Sequence, residues 1–257
     1  MQDSLNELQQ AYLNMSKEMV TILDDIKMHW EDYPDYLGWL DLNSPIVPNP
    51  DILIIGINPG PGRFILCNRD NWDKNRKALI DPYKKKLPED YPTLWRSHLQ
   101  WLLPNNARKG GKWWDDSKPK FNHFPYYMCE LLVRIYRHEY PANSYPRKAL
   151  TDIFEQRIMA TNLYPMTTQD LGGLNRLIET YKKQNGMDIR EICHTRLSKL
   201  IELVKPHCIV FLGDTVRNEL SACKLQKPCY CISRKYGWHR KDNIKAIAEE
   251  IYKQIKA

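Results

Sequence analysis

The chain has 257 residues, 42% of them hydrophobic, and 38 lysines and arginines against 31 aspartates and glutamates give a net charge of +7. That composition fills a sizeable core and excludes a disordered or fibrous protein, and the length suits one large domain. The longest apolar runs, residues 52–57 and 208–212, are far too short for a membrane span, and the first residues show neither a basic nor an apolar leader region. Seven cysteines, an odd number scattered along the chain, fit reduced thiols better than a disulfide framework. The expectation is a cytoplasmic monomer.

Residues 5–27 carry Leu5, Leu8, Tyr12, Met15, Met19, Ile22, Leu23 and Ile26 at helical spacing, which predicts an amphipathic helix within an N-terminal helical segment of about 1–45. The β-branched run 52–57 reads as a strand covered on both faces, running into the sharp turn Asn58-Pro-Gly-Pro-Gly62. Residues 63–125 are polar and broken by Pro, Asn and Gly-Gly, so they read as an insertion with one short helix near 93–103. Helices are predicted at 126–138 and 147–155, then a short strand at 157–164. A helix at 188–204 leads to a second buried strand at 206–213, with Asp214 capping a helix to about 222. A last strand at 229–233 and an amphipathic helix at 243–255 close the chain. This alternation predicts a single domain over 1–257, a three-layer α/β/α sandwich on a short, mostly parallel sheet.

The surplus charge is concentrated. Residues 63–123 hold 14 basic and 7 acidic side chains, which leaves the rest of the chain balanced at 24 of each. A second focus, 228–241, carries Arg234, Lys235, Arg240 and Lys241 with no acid. Both are interleaved with aromatics, among them Trp72, Tyr83, Trp95, Trp101, Tyr236 and Trp238. Cations steer phosphates and aromatic faces stack on unpaired bases, although a solvated lysine-rich loop over packed aromatics has the same composition. Parallel sheets take ligands outside the carboxyl ends of their strands, which puts 58–60, 164–165, 213–214 and 233–234 along one edge. Both basic stretches follow strand ends there, and this favours nucleic acid.

Several chemistries are missing from the sequence. There is no Walker-type phosphate loop, no His-Glu-x-x-His and no Cys-x-x-Cys pair, and 56–60 lacks the helix start of a dinucleotide fingerprint. Cys223, Cys229 and Cys231 read as buried structural cysteines. No metal and no cofactor are expected.

Gly56-Ile-Asn-Pro-Gly-Pro-Gly62 after a buried strand is the sharpest local feature. Here the chain resembles the uracil-DNA glycosylase superfamily, whose mismatch-specific and single-strand-selective members open their active site with a Gly-(Ile/Met)-Asn-Pro-Gly turn. Ala160-Thr-Asn-Leu-Tyr-Pro165 is similar to the family's second strand, and Ile209-Val-Phe-Leu-Gly-Asp214 to its hydrophobic strand ending in Leu-Gly. Cys231-Ile-Ser-Arg-Lys-Tyr-Gly-Trp238 stands where its last motif belongs. The four segments fall in the family's order over about 51–238. Two cysteine ligands of the family's iron–sulfur branches precede the first motif, whereas the first cysteine here, Cys67, follows it.

The resemblance implies a monofunctional DNA glycosylase that flips out uracil or a related deaminated base and hydrolyses its N-glycosidic bond. That bond breaks through an oxocarbenium-like sugar, so a water must be held beside C1′ while charge moves onto the leaving base. The carbonyl of Asn58 can orient the water, although an amide cannot take its proton at neutral pH. More powerful members have a carboxylate at this position, so an asparagine implies a slower enzyme that leans on leaving-group stabilisation. Gly56, Ile57, Pro59 and Gly60 would frame the base. Gly60 replaces the tyrosine that blocks 5-substituents in uracil-restricted members, and Phe64 or Trp72 would stack on the ring. Asn162 can meet both O4 and N3–H of uracil and so reject cytosine; a strand-end asparagine that only bonds backbone is the plainer alternative.

The family's last motif is usually His-Pro-Ser, with the histidine stabilising the anionic base. In its place stands 232–239, where Ser233 would join the substrate set and Arg234 or His239 could supply the cation. Lys235, Tyr236, Trp238 and Arg240 would wedge into the DNA, and Lys84, Lys85 and Lys86 would track its phosphates. The absent histidine and carboxylate also support a second reading, a catalytically weak or inactive nucleic-acid-binding protein of the same fold.

Overall fold

The structure, a computed structural model, describes residues 2–38, 42, 44–58, 131–132, 134–136, 153, 155–223, 225–233 and 239–256, with 2–5 and 239–242 described by backbone alone. The expected insertion, with Phe64, Trp72, Lys84, Lys85 and Lys86, therefore lies outside the described residues. So do Pro59, Gly60, Arg234, Lys235, Tyr236 and Trp238.

Four strands form the sheet: β1 Ile52–Gly56, β2 Ile158–Asn162, β3 Cys208–Leu212 and β4 Cys229–Ile232. They lie in the order β2-β1-β3-β4 and every pairing is parallel. Parallel strands need helical cover on both faces, and all residues of β1, β2 and β3 are accordingly buried. The helices are α1 Gln2–Met28, α2 Leu171–Asn185, α3 Ile189–Val204, α4 Asp214–Glu219 and α5 His239–Lys256, with further helical residues at 131–132 and 134–136.

Alternate strand residues enter two separate cores. Leu53, Ile55, Met159, Ile209 and Phe211 pack with α1, α2 and α3 on one face. Ile52, Ile54, Ala160, Val210 and Leu212 pack with Leu131, Leu132, Ile135 and the α5 residues Ile244, Ile247 and Ile251 on the other. The step from β1 outward to β2 is covered on the second face. The steps from β2 to β3 and from β3 to β4 return over the first, as one crossover hand requires. This is the expected three-layer α/β/α sandwich.

The outer edge of β2 is covered. Leu42 bridges antiparallel to Thr161, and the Ser44 hydroxyl accepts the Ala160 N–H at 2.7 Å. An open edge would invite another chain to pair, and this segment blocks it. The N-terminal helical segment thus ends well before residue 45: α1 stops at Met28, a short 3₁₀ turn follows at Trp30–Asp32, and residues 33–38 run as irregular chain.

Helix α2 is absent from the sequence-based expectation. Gly172 and Gly173 weaken helix propensity in its first turn and mask the Leu174, Leu177, Ile178, Tyr181 stripe. The glycine at 173 has a spatial cause, because a Cβ there would sit 3.0 Å from the Asp35 carboxylate. Asp35 in turn takes a two-pronged contact from Arg176, at 3.0 and 2.6 Å. The Asp170 side chain caps the helix by accepting the Gly173 N–H.

Three further expectations are corrected. Asp214 is the first residue of α4 and not its cap; the cap is Gly213, whose φ of 110° is readily reached only by glycine. Helix α5 begins at His239 rather than at 243, so His239 and Arg240 belong to a helical first turn and not to the preceding loop. Cys229 is exposed and Cys231 half-buried because β4 is an edge strand with one side open, and Cys223, beyond the end of α4, is half-buried as well. Among the described residues no helix is long and apolar enough to cross a membrane.

Candidate functional site

A parallel sheet in the order β2-β1-β3-β4 reverses direction between β1 and β3, and the crevice outside the carboxyl ends at such a point is where open α/β sheets bind ligands. Residues 56–58 and 212–214 flank it. The β1–β2 ladder continues past the strands, since Leu163 N–H donates to the Gly56 carbonyl and Tyr164 N–H to the Ile57 carbonyl, both at 2.8 Å. Two segments singled out in the sequence, 56–58 and 160–165, therefore leave the sheet side by side.

Asn58 is held by its amide nitrogen. Nδ2 donates to the Met166 carbonyl at 3.3 Å and to the Thr168 hydroxyl at 3.0 Å. Thr168 spends its own proton on the Asp170 carbonyl at 2.8 Å, so toward Asn58 it presents a lone pair. Both neighbours are acceptors. A carboxylate at 58 would face two oxygens, whereas an amide satisfies both and has its plane fixed, with Oδ1 turned away from residues 166–168. A carbonyl oxygen fixed in this way can hold a water in one orientation.

Asn162 ends β2 opposite Gly56 and is 4% exposed. Its Oδ1 lies 2.7 Å from where a Cβ on Gly56 would be, so the side chain occupies the space the glycine leaves empty. Strand alternation puts this carboxamide on the face covered by residues 131–136 and α5. Gly56→Ala should drive its methyl into Asn162 and cost about 1–3 kcal/mol, as overpacking in a tight site does. Urea melts of Gly56→Ala, with and without Asn162→Ala, check this: shortening Asn162 should recover most of the loss.

The opposite face supplies a support. Arg196 of α3 is 3% exposed, and its Nη2 donates to the Asn162 carbonyl at 2.6 Å and the Leu163 carbonyl at 3.4 Å. Next along, the Tyr164 hydroxyl donates to Glu219 at 2.9 Å, and burial together with that carboxylate holds its phenol well above the ordinary tyrosine range. Tyr164 is therefore a neutral donor tying the β2 exit to α4.

At the far end of the crevice Ser233 donates its hydroxyl to Asp214 at 2.6 Å, and Arg217 pairs with the other oxygen of that carboxylate at 3.0 Å. The exits of β3 and β4 are thereby tied together just before residues 234–238. Ile57, expected against a ligand, sends its side chain into the core at 9% exposure, so only its main chain borders the crevice. His239 and Arg240 stand at the first turn of α5. Thr168 and Arg196 belong to the site without having been singled out for it, whereas Asp214, expected along this edge, was read as a helix cap. The one available signal was Arg196, a charged residue within the apolar stripe Ile189, Cys193, Leu197, Leu200 of α3. No protein-family model matches the chain, and no curated protein matches it.

Proposed function

We propose that this protein is a monofunctional DNA glycosylase that hydrolyses the N-glycosidic bond of uracil or a related deaminated base in DNA. The observation that carries the reading is the paired anchoring of Asn58 and Asn162 at adjoining strand exits. One amide is fixed by two acceptors and the other is packed against a glycine. In the proposed reaction the Asn58 carbonyl orients a water toward C1′ of a flipped nucleotide. The C1′–N bond breaks with its electron pair leaving on the base, the water oxygen bonds to C1′, and the water gives up a proton to solvent. Asn162 reads the base edge. Arg234 or His239 supplies positive charge to the departing base, and the aromatic residues Tyr236 and Trp238 fill the vacated stack. The described cysteines Cys193, Cys208, Cys223, Cys229 and Cys231 form no disulfide with one another, which supports a reducing, cytoplasmic setting.

Incubating the protein with labelled oligonucleotides containing uracil, hypoxanthine, xanthine or a mismatch, and scoring abasic sites, tests the reading. Abasic sites above the undamaged control support it. Tight DNA binding with no base release would favour the non-catalytic reading. Binding itself should be strongly salt-dependent, with the lysine run contributing. Replacing Lys84, Lys85 and Lys86 with alanine should lower the log–log salt slope by roughly 0.7–0.9 for each phosphate that is no longer neutralised. An unaltered slope returns that run to solvent.

A further inference from the structure

We infer that Arg196 is a positioning residue for base selection, acting through Asn162; the inference rests on the reading of the crevice given above. At the end of β2 the carbonyls of Asn162 and Leu163 turn out of the ladder into a buried setting, where they need donors. A hydroxyl or amide would satisfy them at lower desolvation cost than a guanidinium, which is expensive to remove from water. What the guanidinium adds is a planar group with donors at fixed angles, so it resists both rotation and sliding of the peptide it holds.

The geometry makes that stiffness useful at one place. Arg196 grips the main chain of residue 162 from the α3 face, while the side chain of the same residue projects to the opposite face across Gly56. On its other sides the segment is held by the Leu163 and Tyr164 ladder bonds to β1 and by the Leu42 bridge at Thr161. A carboxamide that must offer one donor and one acceptor to a pyrimidine edge tolerates little displacement, since misplacement by about 1 Å can cost 100-fold in rate. Arg196 adds to these a side-chain grip on the main chain of residue 162 from the α3 face.

The test uses equilibrium binding, so that it does not depend on turnover. The full-length protein is titrated with two oligonucleotides of one sequence. One carries a non-cleavable 2′-fluoro-2′-deoxyuridine, the other a tetrahydrofuran abasic analogue. Arg196→Lys keeps the charge but replaces the planar donors, held at fixed angles, with the rotating donors of an ammonium. It should weaken binding to the uracil oligonucleotide about tenfold and leave the abasic one unchanged. A double-mutant cycle with Asn162→Ala separates positioning from general support, because residues acting as a unit are not additive. In the Asn162→Ala background, Arg196→Lys should have no further effect on the preference for uracil. Equal losses on both oligonucleotides, or additive losses in the cycle, overturn the inference. If Arg196→Lys melts early, the cycle is run at a temperature where both single variants are fully folded by circular dichroism, and the same criteria hold. A native protein that shows no preference for the uracil oligonucleotide overturns the reading of the crevice itself. A native preference that survives Arg196→Lys overturns only the role of Arg196.

Discussion

Asn58→Ala should reduce base excision at least about 100-fold while leaving DNA affinity within a few fold. Holding a water in one orientation beside C1′ is a contribution made in the transition state, so its loss appears in turnover rather than in binding. The same substitution removes two hydrogen bonds, to Met166 and Thr168, each worth about 0.5–1.5 kcal/mol of stability. A modest drop in melting temperature is therefore expected, and rates must be compared well below it. Single-turnover excision from uracil-containing duplex and single strand, with binding measured by anisotropy, reads the two effects separately. Unchanged excision by a folded variant removes Asn58 from the mechanism.

Asn58→Asp is the informative companion. A carboxylate can activate water more strongly than an amide, which argues for a faster enzyme. Its surroundings argue the other way, because the position faces the Met166 carbonyl and a Thr168 hydroxyl already committed to Asp170. To receive an aspartate, Thr168 must turn its proton around and give up that bond. The site is thus built for an amide from two directions, and the asparagine in the 56–60 motif is matched to residues more than a hundred positions away.

Much of the architecture is legible because parallel strands buried on both faces must be continuous apolar runs. The segments 52–56 and 208–212 declare themselves in this way, and the acidic N-cap and apolar spacing of α3 do the same for a helix. Helix α2 was hidden because the glycines in its first turn answer to Asp35, a partner remote in sequence. The start of α5 was misplaced because His-Arg-Lys-Asp has no apolar residue to set a period until Ile244. Within the site, Asn58 and Asn162 are legible as polar residues at the ends of apolar strands. Thr168 and Arg196 are not, since each acts through contacts that only the folded chain creates. Asp214 was visible but misread: a carboxylate at a helix start is ordinarily a cap, and here Gly213 takes that place and frees the side chain for Ser233 and Arg217.

Asn162→Asp is expected to have the sharpest consequence for selectivity. Asn162 is 4% exposed and its side chain is confined against Gly56, so the carboxamide has little freedom to turn and exchange its donor for its acceptor. The aspartate keeps the size and shape but replaces the NH₂ donor with an oxygen, and in its charged form it sets a negative group against O4 of uracil. A lost buried hydrogen bond costs about 1–3 kcal/mol, and an acceptor opposed by a charge costs more, so excision of uracil should fall at least about 100-fold. Cytosine presents a donor amine at C4 and an unprotonated N3, so a carboxylic acid, with one hydroxyl donor and one carbonyl acceptor, matches its edge. Tolerance of cytosine should therefore rise as the pH is lowered and the carboxyl is protonated. The buried charge will itself destabilise the chain, which makes folding by circular dichroism a necessary control. Matched oligonucleotides with uracil, cytosine and no target base separate the possibilities. A base-reading pocket loses uracil selectively, whereas a purely electrostatic binding surface loses a little affinity for all three alike, as one added negative charge would dictate. Equal losses across the three would remove Asn162 from base recognition, and with it the main reason for placing a flipped pyrimidine in this crevice.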